Sequence, residues 1–303
     1  MNILVTGGTV FVSRYTAEFF SRKGHEVFVL NRGNNSQPCG CTHIKADRHI
    51  LGGILKKYHF DVVIDVTAYN STDVLDLLNE LGEYGMYILI SSSAVYPETL
   101  TLPFSEKQQT GVNTIWGKYG TDKIAAEEAL ISNAAEHYIV RPPYLYGPMN
   151  NVYREAFVFD CAEKDRVFYL PQSGEMPLQF LYVDDLCRFI ERLITVRPQN
   201  RIFNVGNTES ITVKEWVKLC YEAAGKIPVF KSVGKEIPQR DYFPFYDYAY
   251  CLDISRQSKL ISDLTDMKKG LTICYEWYKH NKAMVKRKPL LEYIDNELIK
   301  GVM

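Results

Sequence analysis

The sequence predicts an α/β protein built on a doubly wound parallel sheet. Short apolar runs alternate with segments of helical periodicity through its first half, and this alternation indicates right-handed βαβ units. A glycine-bearing turn, Thr6-Gly7-Gly8-Thr9, separates the first apolar run from the first helical segment. Such a turn in that place is typical of the Rossmann fold. We therefore expect a Rossmann fold followed by a smaller C-terminal α/β lobe that binds the substrate.

The elements of the first half follow one another with short connections. The first helix is expected to end at Gly24, because glycine commonly terminates helices. The other segments show the same alternation of buried strand and amphipathic helix. We predict strands over 2–6, 26–30, 61–66, 86–90 and 137–140, and helices over 15–22, 74–81 and 119–132.

The second half is less regular. Helices are expected over 184–195, 212–224 and 290–299, and a strand over 202–205. The stretch 243–250 is densely aromatic and fits either a pocket wall or the core of a lobe. We divide the chain into a dinucleotide-binding core and a substrate lobe that interleaves with the core near residues 180–205. The predicted bounds are 1–150 for the core and 151–303 for the lobe.

The composition limits the partners and the compartment. The formal charge of −1 gives no long-range attraction for nucleic acid or an anionic membrane. No signal peptide precedes the first strand, and no apolar run approaches the ~20 residues of a membrane span. Seven cysteines without a disulfide framework indicate a reducing compartment, and Cys39 with Cys41 lacks a second ligand cluster. We expect a cytoplasmic protein with a small-molecule substrate and with no metal, nucleic-acid or membrane partner.

Tyr119 and Lys123 are the first candidate catalytic residues. Residues four apart share one face of a helix, so the spacing brings a phenol and an ammonium into one site. The ammonium is expected to lower the pKa of the phenol, so that Tyr119 exchanges protons near neutral pH. Chance and ordinary surface pairing also produce this spacing. Its position downstream of a glycine turn favours the catalytic interpretation.

The glycine turn predicts a site for the pyrophosphate of a nicotinamide dinucleotide, facing the N–H groups of the first helix. A three-glycine motif would place glycines at positions 7, 10 and 13, whereas this chain has Val10 and Ser13. We therefore expect a looser approach of the phosphate at 10 and looser packing at 13. The predicted cofactor contacts are Thr6, Gly7, Gly8, Thr9, Val10, Phe11, Val12, Asn31, Arg32, Asp47, Arg48, Thr67, Ala68, Ser91, Tyr119, Lys123, Pro142 and Tyr144.

The end of the second strand bears on the choice between NAD and NADP. Asn31-Arg32-Gly33 stands where NAD-binding folds carry a carboxylate for the ribose. Asn31 does not repel a 2′-phosphate, and Arg32 can pair with one. We expect NADP to be favoured over NAD, with Arg32 as an ordinary surface charge as the alternative. Asp47 is placed to meet the adenine amino group.

Six segments resemble, in the same order, motifs of the extended and atypical short-chain dehydrogenase/reductases, specifically the NAD-dependent epimerase/dehydratase group. They cover most of residues 1–255. The segments are Thr6-Gly7-Gly8-Thr9, Ile90-Ser91-Ser92-Ser93-Ala94-Val95-Tyr96 (similar to SSxxVYG), Tyr119 to Lys123 (YxxxK), Arg141-Pro142-Pro143-Tyr144-Leu145-Tyr146-Gly147-Pro148 (RPxxVYGP), Gln179-Phe180-Leu181-Tyr182-Val183-Asp184-Asp185-Leu186 (FxHVDDL) and Phe203-Asn204-Val205-Gly206 (YNVG).

The resemblance implies roles for three residues and a quaternary state. Ser92 takes the position of the catalytic hydroxyl that hydrogen-bonds the substrate oxygen. Tyr119 would be the acid/base, and Lys123 would hold the nicotinamide ribose. Family members often dimerise through the helix that carries YxxxK, so a homodimer is expected. Apolar residues on that helix, such as Ile124, are equally suited to the core.

Departures from the family pattern reduce the number of reactions that this chain can be expected to catalyse. Ser93 and Ala94 stand where related 4,6-dehydratases carry an Asp-Glu pair, and neither can transfer protons near pH 7. Dehydration is therefore disfavoured. Hydride transfer at a secondary alcohol or ketone remains, with a nucleotide sugar or a related small molecule as substrate. An epimerase and an NADPH-dependent carbonyl reductase both fit.

A nucleotide sugar also needs a cationic cradle for its diphosphate. The segment Pro177-Leu178-Gln179-Phe180 lacks the arginine that many related epimerases use, so Arg154, Arg240 or Lys235 would have to supply the charge. Two other classes stay open, a non-catalytic NADP(H)-sensing regulator and an RNA-binding relative. The retained catalytic residues disfavour the first, and the charge disfavours the second.

Overall fold

A computed structural model describes residues 1–299 of the chain. Within this range strands and helices alternate through most of the first half, and the strands after the sixth are shorter than those before them. The strands are β1 (Asn2–Thr6), β2 (Glu26–Asn31), β3 (Cys41–Lys45), β4 (Phe60–Asp65), β5 (Tyr84–Ile90), β6 (His137–Arg141), β7 (Tyr144–Tyr146), β8 (Phe168–Pro171), β9 (Pro177–Leu178), β10 (Phe180–Tyr182), β11 (Ile202–Asn204), β12 (Ile211–Thr212) and β13 (Phe230–Val233). The α-helices are α1 (Phe11–Arg22), α2 (Ser71–Glu80), α3 (Lys118–Asn133), α4 (Glu155–Glu163), α5 (Val183–Val196), α6 (Val213–Ala223), α7 (Gln239–Tyr242), α8 (Ser255–Ser258), α9 (Met267–Asn281) and α10 (Leu290–Tyr293).

Seven strands form one parallel sheet in the order β11-β6-β5-β4-β1-β2-β3. The strand order reverses beside β1, which lies between β4 and β2. Open α/β sheets bind their ligands at such a reversal, outside the carboxyl ends of the strands. The predicted doubly wound parallel sheet is confirmed.

Helices cover both faces of this sheet. Alternate residues of a strand point to opposite faces, and Ile3 accordingly packs in a cluster with α1 and α5. Leu4 packs on the other face in a cluster with α2 and α3. Because α5 and β11 come from the second half, the chain returns to the sheet after residue 180. The division at residue 150 stays a prediction.

The second half builds its own aromatic core between α4, α6 and α9. β7 follows β6 of the large sheet and pairs in parallel with β10, with Tyr144 opposite Phe180. Phe180 is buried in the aromatic core. Phe243 and Phe245 are buried in the same core, whereas Tyr250 faces a cavity. The stretch 243–250 therefore serves both purposes that were considered for it.

Several bounds differ from the predictions for local reasons. α1 begins at Phe11, because the turn before it is shorter than expected. In β3 only Ile44 is buried, so no apolar run marks this edge strand. The predicted helix over 290–299 is α-helical only to Tyr293 and continues as a π-helical segment, Ile294–Ile299. Within the described residues, none of the helices combines the length and the apolar character that crossing a membrane requires.

Candidate active site

The turn between β1 and α1 requires glycine at two positions. Gly7 and Gly8 have φ angles of +83° and +72°, and a Cβ on Gly8 would lie 2.4 Å from Val29 Cγ1. α1 follows Val10 without a side-chain cap, so N–H groups of its first turn are available to an anion. Ser13 is buried, and its hydroxyl donates to the Val10 carbonyl over 2.9 Å. The expectation of looser packing at position 13 is wrong, because the serine is accommodated there. Thr9 and Val10 border a separate cleft on the outer side of the turn.

A cavity of about 300 Å³ lies at the carboxyl end of β2, and we call it the adenosine cavity. The Asn31 amide donates to the Gly7 carbonyl over 2.7 Å, which fixes the strand end against the glycine turn. The Arg32 side chain is 70% exposed, and its guanidinium lies 4.0 Å from the Asp47 carboxylate. An ion pair this long and this exposed contributes little stability, so both side chains can turn to a ligand. The predicted cofactor residues on this cavity are Thr6, Gly7, Asn31, Arg32, Asp47, Arg48 and Thr67.

Arg48 is held beneath the adenosine cavity by a buried network. Its Nη2 donates to Asp65 over 2.8 Å and to the carbonyl of Asp73 over 2.5 Å. The Thr6 hydroxyl donates to the same Asp65 carboxylate over 2.6 Å. Burial alone would raise the pKa of Asp65, but the Arg48 pairing and these hydrogen bonds lower it. The Arg48 charge is therefore committed to the protein, although Arg48 lines the adenosine cavity, and its contact with a cofactor stays a prediction.

A second cavity, of about 400 Å³, lies where β4 and β5 end, and we call it the reaction cavity. Ser92, Tyr119 and Lys123 all line it. The adenosine cavity thus adjoins the end of β1 and the glycine turn, and the reaction cavity adjoins the start of α1. The other predicted cofactor residues on the wall of the reaction cavity are Phe11, Val12, Ser91, Pro142 and Tyr144.

Lys123 is buried on α3 with only 2% of its surface exposed. Its ammonium donates to the carbonyls of Ala68 and Ile90 over 2.6 Å and 2.9 Å, and it lies 5.2 Å from the centre of the Tyr69 ring. Desolvation lowers the pKa of Lys123 to about 8. Since an ammonium has three N–H donors, one donor is left for a ligand. Ala68 therefore enters the site through its carbonyl.

The pKa of Tyr119 is raised. Desolvation of its hydroxyl raises the pKa, and the adjacent Ser92 hydroxyl opposes this in part. The expectation that Lys123 lowers the pKa of Tyr119 is wrong for this structure, because the ammonium turns to the two carbonyls instead. Ser92 Oγ accepts a hydrogen bond from the Ala94 amide over 3.1 Å, which leaves the serine proton free to be donated.

Two predicted cofactor residues have their hydroxyls engaged elsewhere. The Ser91 hydroxyl donates to Glu127, which pairs with Arg141 over 2.9 Å in the core. The Thr67 hydroxyl donates to Thr6 over 2.9 Å. The Ser91 hydroxyl is therefore engaged in the core, although Ser91 lines the reaction cavity, and its contact with a cofactor stays a prediction. Sequence reasoning could not see its partner, which lies 36 residues away on α3.

The wall of the reaction cavity opposite the sheet is aromatic. The Tyr144 ring centre lies 4.7 Å from that of Phe245 and 6.1 Å from that of Trp116, and Tyr250 lies beside it. Trp116 was missed at the sequence level. Only the position of Trp116, just before the Tyr119 helix, could have pointed to it. Tyr144 is thus surrounded by residues of the substrate side, and its contact with a cofactor stays a prediction.

Three cations lie close to one another near this aromatic wall: Arg154, Arg240 and Lys288, which we call the cationic cluster. Arg154 lines the reaction cavity, whereas Arg240 and Lys288 line a separate cavity. The Arg154 guanidinium is 5.3 Å from the centre of the Tyr144 ring, and that of Arg240 is 4.6 Å from the Tyr246 ring. Desolvation lowers the pKa of Lys288, and the charges of Arg240 and Arg154 lower it further. Within residues 1–299 none of the three forms an ion pair; the arginines donate only to carbonyls. Lys235 was considered as a cation for the diphosphate beside Arg154 and Arg240, and the third cation of the cluster is Lys288.

These residues fit a nicotinamide dinucleotide. Glycines fill the turn where a Cβ would collide, uncapped N–H groups follow them, and cavities adjoin the turn and the start of α1. Among the described residues no cluster of three metal-ligating side chains occurs. The fold and site therefore define an enzyme of the short-chain dehydrogenase/reductase type. The model of the NAD dependent epimerase/dehydratase family matches residues 3–206, and the chain belongs to that family.

Known relatives differ in their named roles. The chain is 26% identical to the chloroplast stem-loop binding protein of 41 kDa b from Arabidopsis thaliana, over 90% of this chain and 78% of that protein. It is 23% identical to a UDP-glucose 4-epimerase from Corynebacterium glutamicum, over 74% and 81%. Its fold is similar to that of the Thermotoga maritima UDP-glucose 4-epimerase with UDP-glucose, with a TM-score of 0.75 at 20% identity over 93% and 100% of the chains. The fold is also similar to that of a Bacillus cereus UDP-glucuronic acid 4-epimerase in complex with UDP-glucuronic acid and NAD. The TM-score is 0.73 at 18% sequence identity, and the match covers 92% of this chain and 99% of that chain.

Proposed function

We propose that the protein is an NAD(P)-dependent epimerase that acts on a secondary alcohol of a nucleotide sugar. The observation that carries this proposal is the placement of Ser92, Tyr119 and Lys123 in one cavity that Arg154 of the cationic cluster also lines. A hydride-transfer centre beside unpaired cations suits a substrate with a sugar at one end and a diphosphate at the other. The solved relatives named above bind UDP-sugars of this form.

The three residues divide the work of moving a proton. The bound nicotinamide supplies hydride transfer at the sugar carbon. Tyr119 Oη takes the alcohol proton when the ketone forms and returns it when the alcohol is restored. Ser92 donates a hydrogen bond to the same substrate oxygen and stabilises its developing charge. The remaining N–H of Lys123 would hold a ribose hydroxyl, and its positive charge would favour the Tyr119 phenolate in the bound state.

The cationic cluster supports a diphosphate as the anionic part of the substrate. Three cations that form no ion pair within residues 1–299 repel one another, and a bound phosphate oxygen relieves that repulsion. Gln179 stands at the position where an arginine was sought, but its amide donates to the Asn207 carbonyl over 2.9 Å and its Oε1 accepts from the Leu252 amide over 2.8 Å. Gln179 is thus structural, and Arg154 takes the ligand-binding role in this proposal.

The same cavity argues against dehydration. Ser93 is buried, and its hydroxyl donates to the Tyr250 hydroxyl over 3.1 Å. Ala94 has no polar side chain. Neither position offers a carboxyl group to remove a proton and protonate a leaving hydroxide.

The choice between NAD and NADP depends on Arg32. No carboxylate at the end of β2 repels a 2′-phosphate, because Asn31 occupies that position. The Asp47 carboxylate lies 4.0 Å from the Arg32 guanidinium, so it competes only weakly with a phosphate for this cation. The proposal therefore keeps NADP beside NAD, although the solved relatives named with a cofactor contain NAD. A reductase is the second candidate, supported by the missing glycine at position 10, which favours an exchangeable cofactor.

Incubation with UDP-glucose, UDP-glucuronic acid and GDP- or dTDP-sugars tests the proposal, with proton NMR to detect inversion at a sugar carbon. An epimerase produces the inverted sugar without net change in nicotinamide absorbance. A reductase instead oxidises added NADPH in proportion to product. If no sugar is converted and no nicotinamide dinucleotide binds in calorimetry, the proposal fails. A gel-shift titration with stem-loop RNA then decides whether the role of the chloroplast relative applies.

The anionic end is tested separately by Arg154→Gln. Loss of a charge-assisted contact should weaken binding of the nucleoside diphosphate about 10- to 100-fold. The matched control is Arg22→Gln, because the Arg22 side chain is 57% exposed, and its guanidinium lies 3.7 Å from the Glu18 carboxylate on the first helix. Equal affinities of the Arg154 variant and the control would remove the cationic cluster from the proposal.

A further inference from the structure

The Tyr144 hydroxyl is buried in the wall of the reaction cavity and has no hydrogen-bond partner among the described residues. Desolvation raises the pKa of Tyr144 to about 12, so the phenol keeps its proton at neutral pH and can donate it. A buried donor without an acceptor is costly and uncommon in folded proteins. The group therefore needs an explanation beyond folding.

Packing fixes the position of this hydroxyl. Tyr144 begins β7, and its ring is held between Phe245 and Trp116, with Phe180 of β10 at 6.0 Å. Arg154 lies over one face of the ring. A ring enclosed in this way cannot turn its hydroxyl to water without disturbing several neighbours. The ring that carries the donor thus lines the cavity in a defined position beside a cation.

We propose that Tyr144 is a substrate-binding and specificity-determining residue whose hydroxyl donates a hydrogen bond to an oxygen of the nucleotide sugar. This inference rests on the proposed function, since it names a further contact in the same site. A phenol next to a guanidinium suits a phosphate oxygen or a sugar oxygen close to the phosphate. Because the donor is already in place and unsatisfied, a substrate lacking that oxygen would leave it unpaired, which discriminates strongly between ligands.

Tyr144→Phe tests the proposal, and Tyr146→Phe is its matched control. The Tyr146 hydroxyl is also buried without a partner among the described residues, but it lies in the core of the second half, against Gly270. Neither variant removes an existing hydrogen bond, so both should keep or slightly raise the melting temperature. Tyr144→Phe should weaken binding of the nucleotide sugar about 10- to 100-fold and leave the affinity for NAD unchanged. Tyr146→Phe should leave both affinities unchanged.

Calorimetry with UDP, GDP and dTDP and with their hexose derivatives separates the two sources of the oxygen. If Tyr144→Phe already binds the nucleoside diphosphate more weakly, the contact is assigned to a phosphate oxygen. If only the affinity for the sugar derivative falls, the contact is assigned to the sugar. Unchanged affinities in Tyr144→Phe overturn the inference alone. The inference is also overturned if the variant loses NAD affinity or melts several degrees lower, because the hydroxyl would then serve the cofactor or the fold. If the wild type binds none of these ligands, the proposed function falls together with the inference.

Discussion

Burial of the Lys123 ammonium should make the stability of the protein depend on pH in an unusual range. The side chain is 2% exposed, and two backbone carbonyls accept its protons. Desolvation lowers its pKa from 10.5 to about 8 in the folded protein. The difference corresponds to about 3 kcal/mol, because one pH unit is equivalent to about 1.4 kcal/mol. This is the cost that folding bears for keeping the lysine charged at neutral pH.

The sign follows from which state releases its proton first. Below pH 8 both the folded and the unfolded chain hold the proton, so the full cost is present. Between about pH 8 and 10.5 the folded protein has released a proton that the unfolded chain still holds, so stability increases with pH. The stability gained in this range is lost again as the pH falls from about 10.5 to 8. Between pH 7 and pH 9.5 the gain attributable to Lys123 is about 2 kcal/mol.

Urea unfolding of wild type and Lys123→Met at pH 7 and pH 9.5 measures this gain. Methionine has a similar length without the charge, so the difference between the two proteins isolates the titration of Lys123. Between pH 7 and pH 9.5 we expect the free energy of unfolding of wild type to increase by about 2 kcal/mol relative to that of the variant. Lys118→Met on the same helix is the control, because Lys118 is 83% exposed, and it should follow wild type. Parallel pH dependences of wild type and Lys123→Met would refute the reasoning and show that the ammonium is not desolvated.

Two further variants test the site. Tyr119→Phe should reduce turnover by about 10²- to 10⁴-fold, the usual contribution of a positioned acid or base, with cofactor affinity in calorimetry nearly intact; retained turnover would exclude Tyr119 as the acid/base. Arg32→Ala should weaken NADP binding by about 1–3 kcal/mol through loss of a charge-assisted contact and change NAD binding little. Equal losses for both cofactors would show that Arg32 does not contact a 2′-phosphate.

The fold was predictable where burial leaves a periodic signal. β1, β4 and β5 are buried on both faces and appear as continuous apolar runs, so their places were found within about two residues. β3 lies at the sheet edge with one buried residue, Ile44, and leaves no such run. The small two-stranded sheets of the second half were not predicted, because strands of two to four residues are too short to show a period.

The site was predictable where a residue type is required by local geometry, and not where a distant partner decides its role. Gly7 and Gly8 follow from the turn itself. Arg48 was assigned to the cofactor because of its position after β3, but Asp65, which lies 17 residues away, takes its charge. Lys288 joins Arg154 only through the folding of an irregular segment far along the chain. No spacing rule connects such residues before the fold is known.

The unsatisfied groups of this protein give the strongest reason to place its function in the reaction cavity. A desolvated ammonium at Lys123, a buried phenol without an acceptor at Tyr144 and an unpaired guanidinium at Arg154 all surround one space within the described part of the chain. Each is unfavourable in the free protein, and folding alone would favour a neutral or paired side chain at each position. Unpartnered atoms also occur elsewhere among the described residues, for example Trp216 Nε1 in the core of the second half and Arg48 Nε at the adenosine cavity. A ligand with a polar sugar and an anionic diphosphate would meet Tyr144 and Arg154, and the nicotinamide ribose of the cofactor would meet Lys123, so the costs that folding accepts there would become binding energy when both ligands are bound.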